Sequence, residues 1–435
     1  MTGGHQLDRR IFELKRLRDA LLKWEKPLCD ALWTDLHKSY EEAYMTEISI
    51  VLGEIDLHIR KLKSWAKPVR VHTPLKLFPS RSMIVSEPIG RVLIIAPWNY
   101  PVQLLLVPLA GAISAGCTAV LKPSPYVPNV SSVLTSMIRE TFESDYIDIV
   151  QGHREVNQAL LDQKWDLIFF TGSPKLGREV MAKAAVHLTP VVLELGGKSP
   201  CIVDASADIE VAARRIAWGK SLNAGQTCIA PDYLLVHSSI KQAFIGELGR
   251  QFDALLGPEP IESCHFVRIV NDRAFDRIVS YFADGEVVYG GLTDRGQRYV
   301  SPTIIDGVTW DSPVMQDEIF GPVFPVISYD NLDEILNKIR SMEKPLALYY
   351  YGRKGKEVIA WTSSGGCCIN DCIMHIANDR LPFGGVGNSG MGAYHGKLTF
   401  DVFSHRRAVV DTPTWIDVPF RYMPYRWFKA IKKLL

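Results

Sequence analysis

The sequence predicts an α/β protein built from two parallel-sheet domains, with a small extended arm. Three observations carry this expectation. Short, continuous apolar runs such as "GRVLIIAP", "LIFFTG" and "PVVLELGG" mark strands buried on both faces, as parallel sheets require. Stretches with apolar residues every three or four positions separate them, and strand–helix alternation builds a doubly wound sheet with right-handed crossovers. The alternation then restarts at "SPCIVD", residues 199–204, which asks for a second sheet.

Taken in order, residues 7–66 are helical by the spacing of "IFELKRLRDALLKW" and "EISIVLGEIDLHIRKLKSW". A proline-containing extended segment follows at 67–88. The first sheet takes "GRVLIIAP", "TAVLKPS", "IDIVQG", "LIFFTG" and "PVVLELGG", with helices at 102–115, 129–142, 153–162 and 174–187. After "SPCIVD" come a helix from about residue 208, the strand "YLLVH", a helix at 240–255, and the strands "LALYYYG" and "CCIND". Beyond residue 400 lie the strand-like "FDVFSHRRAVV" and a basic aromatic tail, and no internal repeat or low-complexity tract occurs.

Composition narrows the function classes. Of 435 residues, 47% are hydrophobic and 22% charged, which suits a globular protein with sizeable cores. The net charge of +1 gives no global field toward nucleic acid. No apolar run reaches the ~20 residues of a membrane span. Behind Arg9-Arg10 there is no apolar segment, so neither a secretory nor a twin-arginine signal is expected. Most of the eight cysteines sit inside apolar segments, which suits reduced thiols in a cytoplasmic enzyme. Cys367, Cys368 and Cys372 have no histidine pair at ligand spacing, and no metal is expected.

In open α/β sheets, ligands bind beyond the carboxyl ends of the strands, so the polar residues there carry the interest. They are Trp98-Asn99-Tyr100, Lys122 followed by Ser124 and Pro125, Thr171-Gly172-Ser173 with Gly177 opening a helix, and Glu194 before Leu195-Gly196. Each has a bland alternative: Asn99 as a turn residue, Lys122 as a solvated charge. "GSPKLG" is not a dinucleotide fingerprint, although it fits a pyrophosphate at a helix N-terminus. "GGKS" at 196–199 is no P-loop, because Val192 stands where the first glycine is needed. Glu194 is harder to dismiss. A carboxylate in an apolar strand end is costly unless paired or functional, and burial raises its pKa toward that of a general base. "SLNAGQTCIAP", residues 221–231, places Cys228 three residues after Gly225, either as a nucleophile or as a small buried side chain.

"PWNYP", "FTGS", "LELGGK", "NAGQTC", "EIFGPV" and "PFGGVGNSGMG" occur in this order, and together they resemble the NAD(P)-dependent aldehyde dehydrogenase superfamily over roughly residues 10–420. The short N-terminus, "INDCIMHI" before "LPFGG", and "GMGAYHGKLTFDVFSHRR" resemble its class 3 branch, which acts on fatty and aromatic aldehydes. The resemblance implies that the Cys228 thiolate attacks the aldehyde carbon. The Asn99 side-chain amide and the Cys228 backbone N–H would hold the oxyanion, and Glu194 would activate the water that hydrolyses the thioester. It also implies NAD or NADP as cofactor, with Glu318 and Phe320 at the nicotinamide ribose and Lys122 at the adenosine ribose. Trp98, Ser124, Pro125, Thr171, Gly172, Ser173, Gly177, Glu194, Leu195 and Gly196 complete the cofactor set. Tyr100, Leu104, Thr227, Ile229 and His375 are expected in the substrate pocket.

A retained Glu194 favours a free carboxylate product over transfer to coenzyme A or phosphate. Pro125 stands where many relatives carry a glutamate that repels a 2′-phosphate, so NADP is expected to serve beside NAD. A catalytically silent relative would not need Cys228, Glu194 and Asn99 together. A cofactor-free thiol esterase would not need Lys122, Ser173 and Glu318. The domains implied are a cofactor-binding domain (1–66 and 89–194), a catalytic domain (195–395), and an oligomerisation arm with tail (67–88 and 396–435). The exposed-edge character of the arm predicts a homodimer. In the tail, Trp427, Phe428, Ile431, Leu434 and Leu435 fall on one helical face, with Arg426, Lys429, Lys432 and Lys433 on others. Such a helix would dock near the partner's substrate entrance or make weak surface contact with membranes.

Overall fold

The computed structural model describes residues 3–417, 421–425 and 427–432, and it begins with helices Gly3–Leu36, Tyr40–Ala43 and Ser49–Trp65. The helical stretch expected at 7–66 is therefore interrupted. His37 adopts a φ of 57°, which stops the first helix, and Tyr44–Ile48 forms a wide π turn before the third. Such irregular turns re-aim side chains. Here Lys38 and Glu47 end with their side chains 0% exposed.

Strands β1 (Val69–Val71) and β2 (Arg81–Pro88) pair antiparallel. Then β3 (Arg91–Ile95), β4 (Thr118–Lys122), β5 (Ile147–Ile149), β6 (Leu167–Gly172) and β7 (Val191–Leu195) build a parallel sheet. The helices between them are Gln103–Ala115, Pro128–Thr141, Arg154–Leu161 and Pro174–Ala185. Alternation along β3 explains its unbroken apolar run. Val92 and Ile94 join the core under the N-terminal helices and Gln103–Ala115, while Leu93 and Ile95 join Leu160, Val180 and Ala184 on the opposite face.

The second sheet adds β8 (Pro200–Val203), β9 (Tyr233–His237) and β10 (Glu286–Tyr289), and a small hairpin, β11 (Thr293–Asp294) with β12 (Tyr299–Val300), stands apart from it. The sheet continues through β13 (Thr303–Asp306), β14 (Val323–Tyr329), β15 (Ala347–Tyr351) and β16 (Gly366–Ile369). The strand order is β10-β13-β14-β9-β8-β15-β16, parallel except for β10. The sequence reading did not identify β10, β13, β14 or the helices Asp272–Ser280, Leu332–Ser341 and Gly355–Trp361. Pro325 disguised β14, because a proline argues against a central strand. It is tolerated where pairing changes over, since residues 323–325 pair with β13 and residues 326–329 with β9.

The chain then returns to the first sheet. β17 (Gly390–Met391) pairs antiparallel with β7, setting Gly390 opposite Glu194, so part of the segment assigned by sequence to 195–395 belongs to the first sheet. β18 (Ser404–Asp411) lies antiparallel to β2 along its whole length and completes a three-stranded sheet with β1. In the tail, Phe428–Ile431 is helical, and Trp427 and Phe428 are exposed. Arg426, Lys433, Leu434 and Leu435, on which the expected amphipathic face partly rests, lie outside the described residues. Among the described residues, no helix is long and apolar enough to cross a membrane.

Candidate active site

Helix Ile209–Ser221 ends in a turn whose next three residues are left-handed: Asn223 and Ala224 at φ 51°, Gly225 at φ 70°. Non-glycine residues adopt this conformation only where surroundings enforce it. The enforcement is visible. Glu42 Oε1 accepts from the Asn223 N–H (2.8 Å), and Asn223 Nδ2 donates to the carbonyls of Asn99 (3.1 Å) and Gln226 (3.0 Å). Gln226 Nε2 donates to the carbonyls of Asn223 and Arg268, and its Oε1 accepts from Val270 N–H. A Cβ at Gly225 would lie 2.4 Å from the Gly321 carbonyl oxygen. The small polar run before Cys228 is thus the sequence this loop geometry demands.

The loop delivers a half-buried Cys228 to the wall of a cavity of about 520 Å3. Asn99 lines the same cavity from the turn after β3, and its Nδ2 donates to the Gln226 carbonyl (3.0 Å). An amide nitrogen carries two hydrogens, so one N–H remains for an oxygen beside the sulfur. Glu194 arrives from the end of β7 with both carboxylate oxygens buried and unpartnered. Burial pushes its pKa well above the carboxylate range. Burial, with Glu318 and Glu194 adding to it, also pushes the Cys228 thiol up, against the backbone N–H groups of Cys228 and Ile229. The resting sulfur is a neutral thiol beside a base that is easily protonated.

The carboxyl ends of the first sheet supply another part of the lining: Trp98, Thr171, Gly172, Ser173, Leu195 and Gly196, joined by Glu318 and Phe320. Ser173 caps helix Pro174–Ala185, its Oγ accepting from Leu176 N–H (3.4 Å), and the Thr171 Oγ1 is buried without a partner. Gly196 leaves room for Glu318, since a Cβ there would meet Glu318 Oε2 at 2.1 Å. Burial, with Asp232 adding, raises the Glu318 carboxyl to about 8, against the Gly197 N–H, Lys198 and Arg277. Phe320 meets Trp98 edge-on at 5.4 Å. A helix N-terminus with a serine cap, an unpartnered hydroxyl and a carboxyl over a glycine suit a dinucleotide.

Of the expected pocket residues, Tyr100, Leu104, Thr227 and Ile229 line the cavity, and the Tyr100 hydroxyl bonds Thr227 Oγ1 at 2.6 Å. His375 does not line it. It lies behind Phe383, with the rings stacked at 6.1 Å and its Nδ1 3.3 Å from Cys368 Sγ. Lys122, Ser124, Pro125 and Gly177 also stay off the cavity wall. Lys122 is 1% exposed, its amine turned onto the Pro123 carbonyl (2.8 Å), and burial lowers its pKa to about 8. Ser124 and Gly177 are buried, and Pro125 is half-buried.

The sequence reading missed much of the wall: Met45, Thr46 and Ile50 from the N-terminal helices, Gln103, Trp218 and Leu222, then Ile373, Met374, Ile376, Phe383 and Tyr394. "INDCIMHI" and "LPFGG" had been singled out, but only His375 was drawn from them. Arg277 was missed too; its guanidinium donates to the carbonyls of Glu318 (3.2 Å) and Ile319 (2.8 Å), fixing the loop that carries Glu318.

A thiol, an amide donor and an unpartnered carboxyl share this cavity with the strand ends of a doubly wound sheet, which makes the molecule an α/β enzyme with its site where such sheets bind ligands. Residues 5–409 match the aldehyde dehydrogenase family, and the chain belongs to it. This family of oxidoreductases uses NAD or NADP. Similar proteins include the 4,4'-diaponeurosporen-aldehyde dehydrogenase of Staphylococcus aureus, 46% identical over 97% of this chain and 93% of that one. The dimeric NADP-preferring aldehyde dehydrogenase of Mus musculus is 44% identical over 92% of this chain and 89% of that one. Several other relatives are family 3 aldehyde dehydrogenases, in agreement with the branch the motifs indicate. The substrate-bound structure of Staphylococcus aureus AldH superposes with a TM-score of 0.96 at 45% identity, covering 98% of this chain and 95% of that one.

Proposed function

We propose that the enzyme oxidises apolar aldehydes, medium- or long-chain aliphatic or aromatic, to free carboxylates, with Cys228 as nucleophile, Asn99 as oxyanion donor and Glu194 as base. The observation that carries this is the unpartnered Glu194 carboxyl on the same cavity wall as the Cys228 thiol and the Asn99 amide. The Cys228 thiol gives up its proton to solvent as its sulfur bonds to the aldehyde carbon, and the carbonyl electron pair moves onto oxygen. The oxyanion rests on Asn99 Nδ2 and the Cys228 N–H, each donor contributing ~3–4 kcal/mol in comparable sites. NAD or NADP, when bound, supplies the hydride acceptor, held by Glu318, Phe320, Trp98 and the Thr171–Ser173 turn. In hydrolysis, Glu194 removes a proton from water, oxygen bonds to the acyl carbon, and the Cys228 sulfur departs and is reprotonated. A wall rich in aliphatic and aromatic side chains supports an apolar substrate.

Cys228→Ala should abolish both aldehyde oxidation and ester hydrolysis. Glu194→Gln should give a burst of reduced cofactor and then stall, because hydrolysis alone lacks its base. Steady turnover by Glu194→Gln at the native rate would remove the assigned base.

We further infer a homodimer built on the β1-β2-β18 sheet, where Val69, Val71 and Val410 are exposed. A relative named as dimeric supports this. A cytoplasmic location is inferred from eight free cysteines.

A further inference from the structure

Asn99 and Cys228 lie on segments far apart in the chain, yet both are fastened to one cluster of ionisable side chains on the N-terminal helices and the turn between them. Lys38 pairs with Glu47 Oε1 at 2.7 Å, donates to the Asn99 carbonyl at 3.0 Å, and sits 4.3 Å from the Tyr100 ring centroid. Glu47 Oε2 accepts from the N–H groups of Val102 (2.8 Å) and Gln103 (3.4 Å). It thereby caps helix Gln103–Ala115, whose own N-cap residue Val102 supplies no side-chain bond. Glu42 holds the Asn223 N–H, and Asn223 reaches the same Asn99 carbonyl that Lys38 holds. Neither Lys38, Glu42 nor Glu47 lines the cavity.

A buried ion pair adds little stability over apolar residues of the same volume, so stability alone does not account for this one. We propose that Lys38, Glu47 and Glu42 are positioning residues for acyl transfer, fixing the Asn99 amide relative to the Cys228 loop. The proposal rests on the roles assigned above to Asn99 and Cys228. An oxyanion donor must lie 2.7–3.1 Å from its target, and a displacement of about 1 Å costs up to ~100-fold in rate. Losing Lys38 removes one of two donors on the Asn99 carbonyl, and losing Glu47 frees the start of the helix behind it.

The test is the double variant Lys38→Met/Glu47→Gln, which removes both members of the buried ion pair together. It should fold and bind reduced cofactor normally by fluorescence. Its burst rate constant with benzaldehyde and its cofactor-free hydrolysis of p-nitrophenyl acetate should fall together, about 10- to 100-fold. A burst of reduced amplitude but native rate constant, or native ester hydrolysis, would overturn the proposal. Independently, Glu42→Leu should slow both reactions, while Glu42→Gln, which keeps an acceptor for Asn223, should restore them. Equal rates in the two Glu42 variants would also overturn it. Cys228→Ala separates the two levels: acylation that survives it refutes the nucleophile, whereas acylation lost there but native in the cluster variants refutes only the positioning.

Discussion

Glu318 is a carboxyl whose protonation is set by where it sits. At about 8 its pKa is raised, so at neutral pH it is largely protonated in the cofactor-free cavity. Ribose hydroxyls donating to it would favour the carboxylate. Cofactor binding near pH 7 should therefore release a proton, and affinity should rise with pH up to about 8. Titration calorimetry in two buffers of different ionisation enthalpy measures this, and identical heats would argue against the contact. Pro125 makes a second case at this scale. Pro125→Glu should shift the kcat/KM ratio toward NAD by ~1–3 kcal/mol, roughly tenfold to a hundredfold. An unchanged ratio would remove Pro125 as the determinant. Asn99 and Glu194 could be singled out in the sequence because each stands at the end of an apolar run, whereas Cys228 stood open between nucleophile and buried side chain until the motif resemblance was considered. The placement of Lys122 was not legible, because burial turned its amine onto a neighbouring carbonyl.

At the scale of elements, the nucleophile loop stands out because its backbone is held where side chains resist. Gly225→Ala should cost at least ~1–3 kcal/mol, since its φ is 70° and its Cβ would strike the Gly321 carbonyl. A lowered Tm together with a slowed burst would place the strain at Cys228. An unchanged Tm would mean that the loop relaxes freely. Strands β3, β4, β6 and β7 were readable because burial on both faces leaves no polar position. β14 was not readable because of Pro325, nor β10 because its apolar run is only Val287-Val288-Tyr289 and residues 286–288 are exposed. The breaks at His37 and Tyr44–Ile48 also went unseen, because the apolar spacing continues through them.

For the molecule as a whole, the substrate wall was largely illegible. Met45, Trp218 and Ile376 meet only because two sheets and the N-terminal helices converge. Removing 404–411 should yield a species that light scattering shows as a monomer if β18 carries the dimer contact. A stable dimer without it would place the interface elsewhere. Stability should also respond to pH with a definite sign. Glu42 (about 7) and Glu318 (about 8) hold protons in the folded state that the unfolded chain loses near 4.5. The folded state thus binds more protons in this window, and unfolding free energy falls as pH rises. His375, lowered to about 4, works in the opposite direction only below about 6.5. The Tm of the cofactor-free enzyme should therefore drop between pH 6.5 and 7.5, as calorimetry would show.

The pairing of Gly390 with Glu194 has a consequence in time as well as space. The ribosome makes the thiol and the base long before it makes the strand that closes beside the base. It makes Lys38 and Glu47 first of all, and they wait for partners not yet synthesised. Chains arrested before residue 390 should carry an exposed, unassembled thiol and no burst, so the reactive centre is completed only once residue 390 has been made.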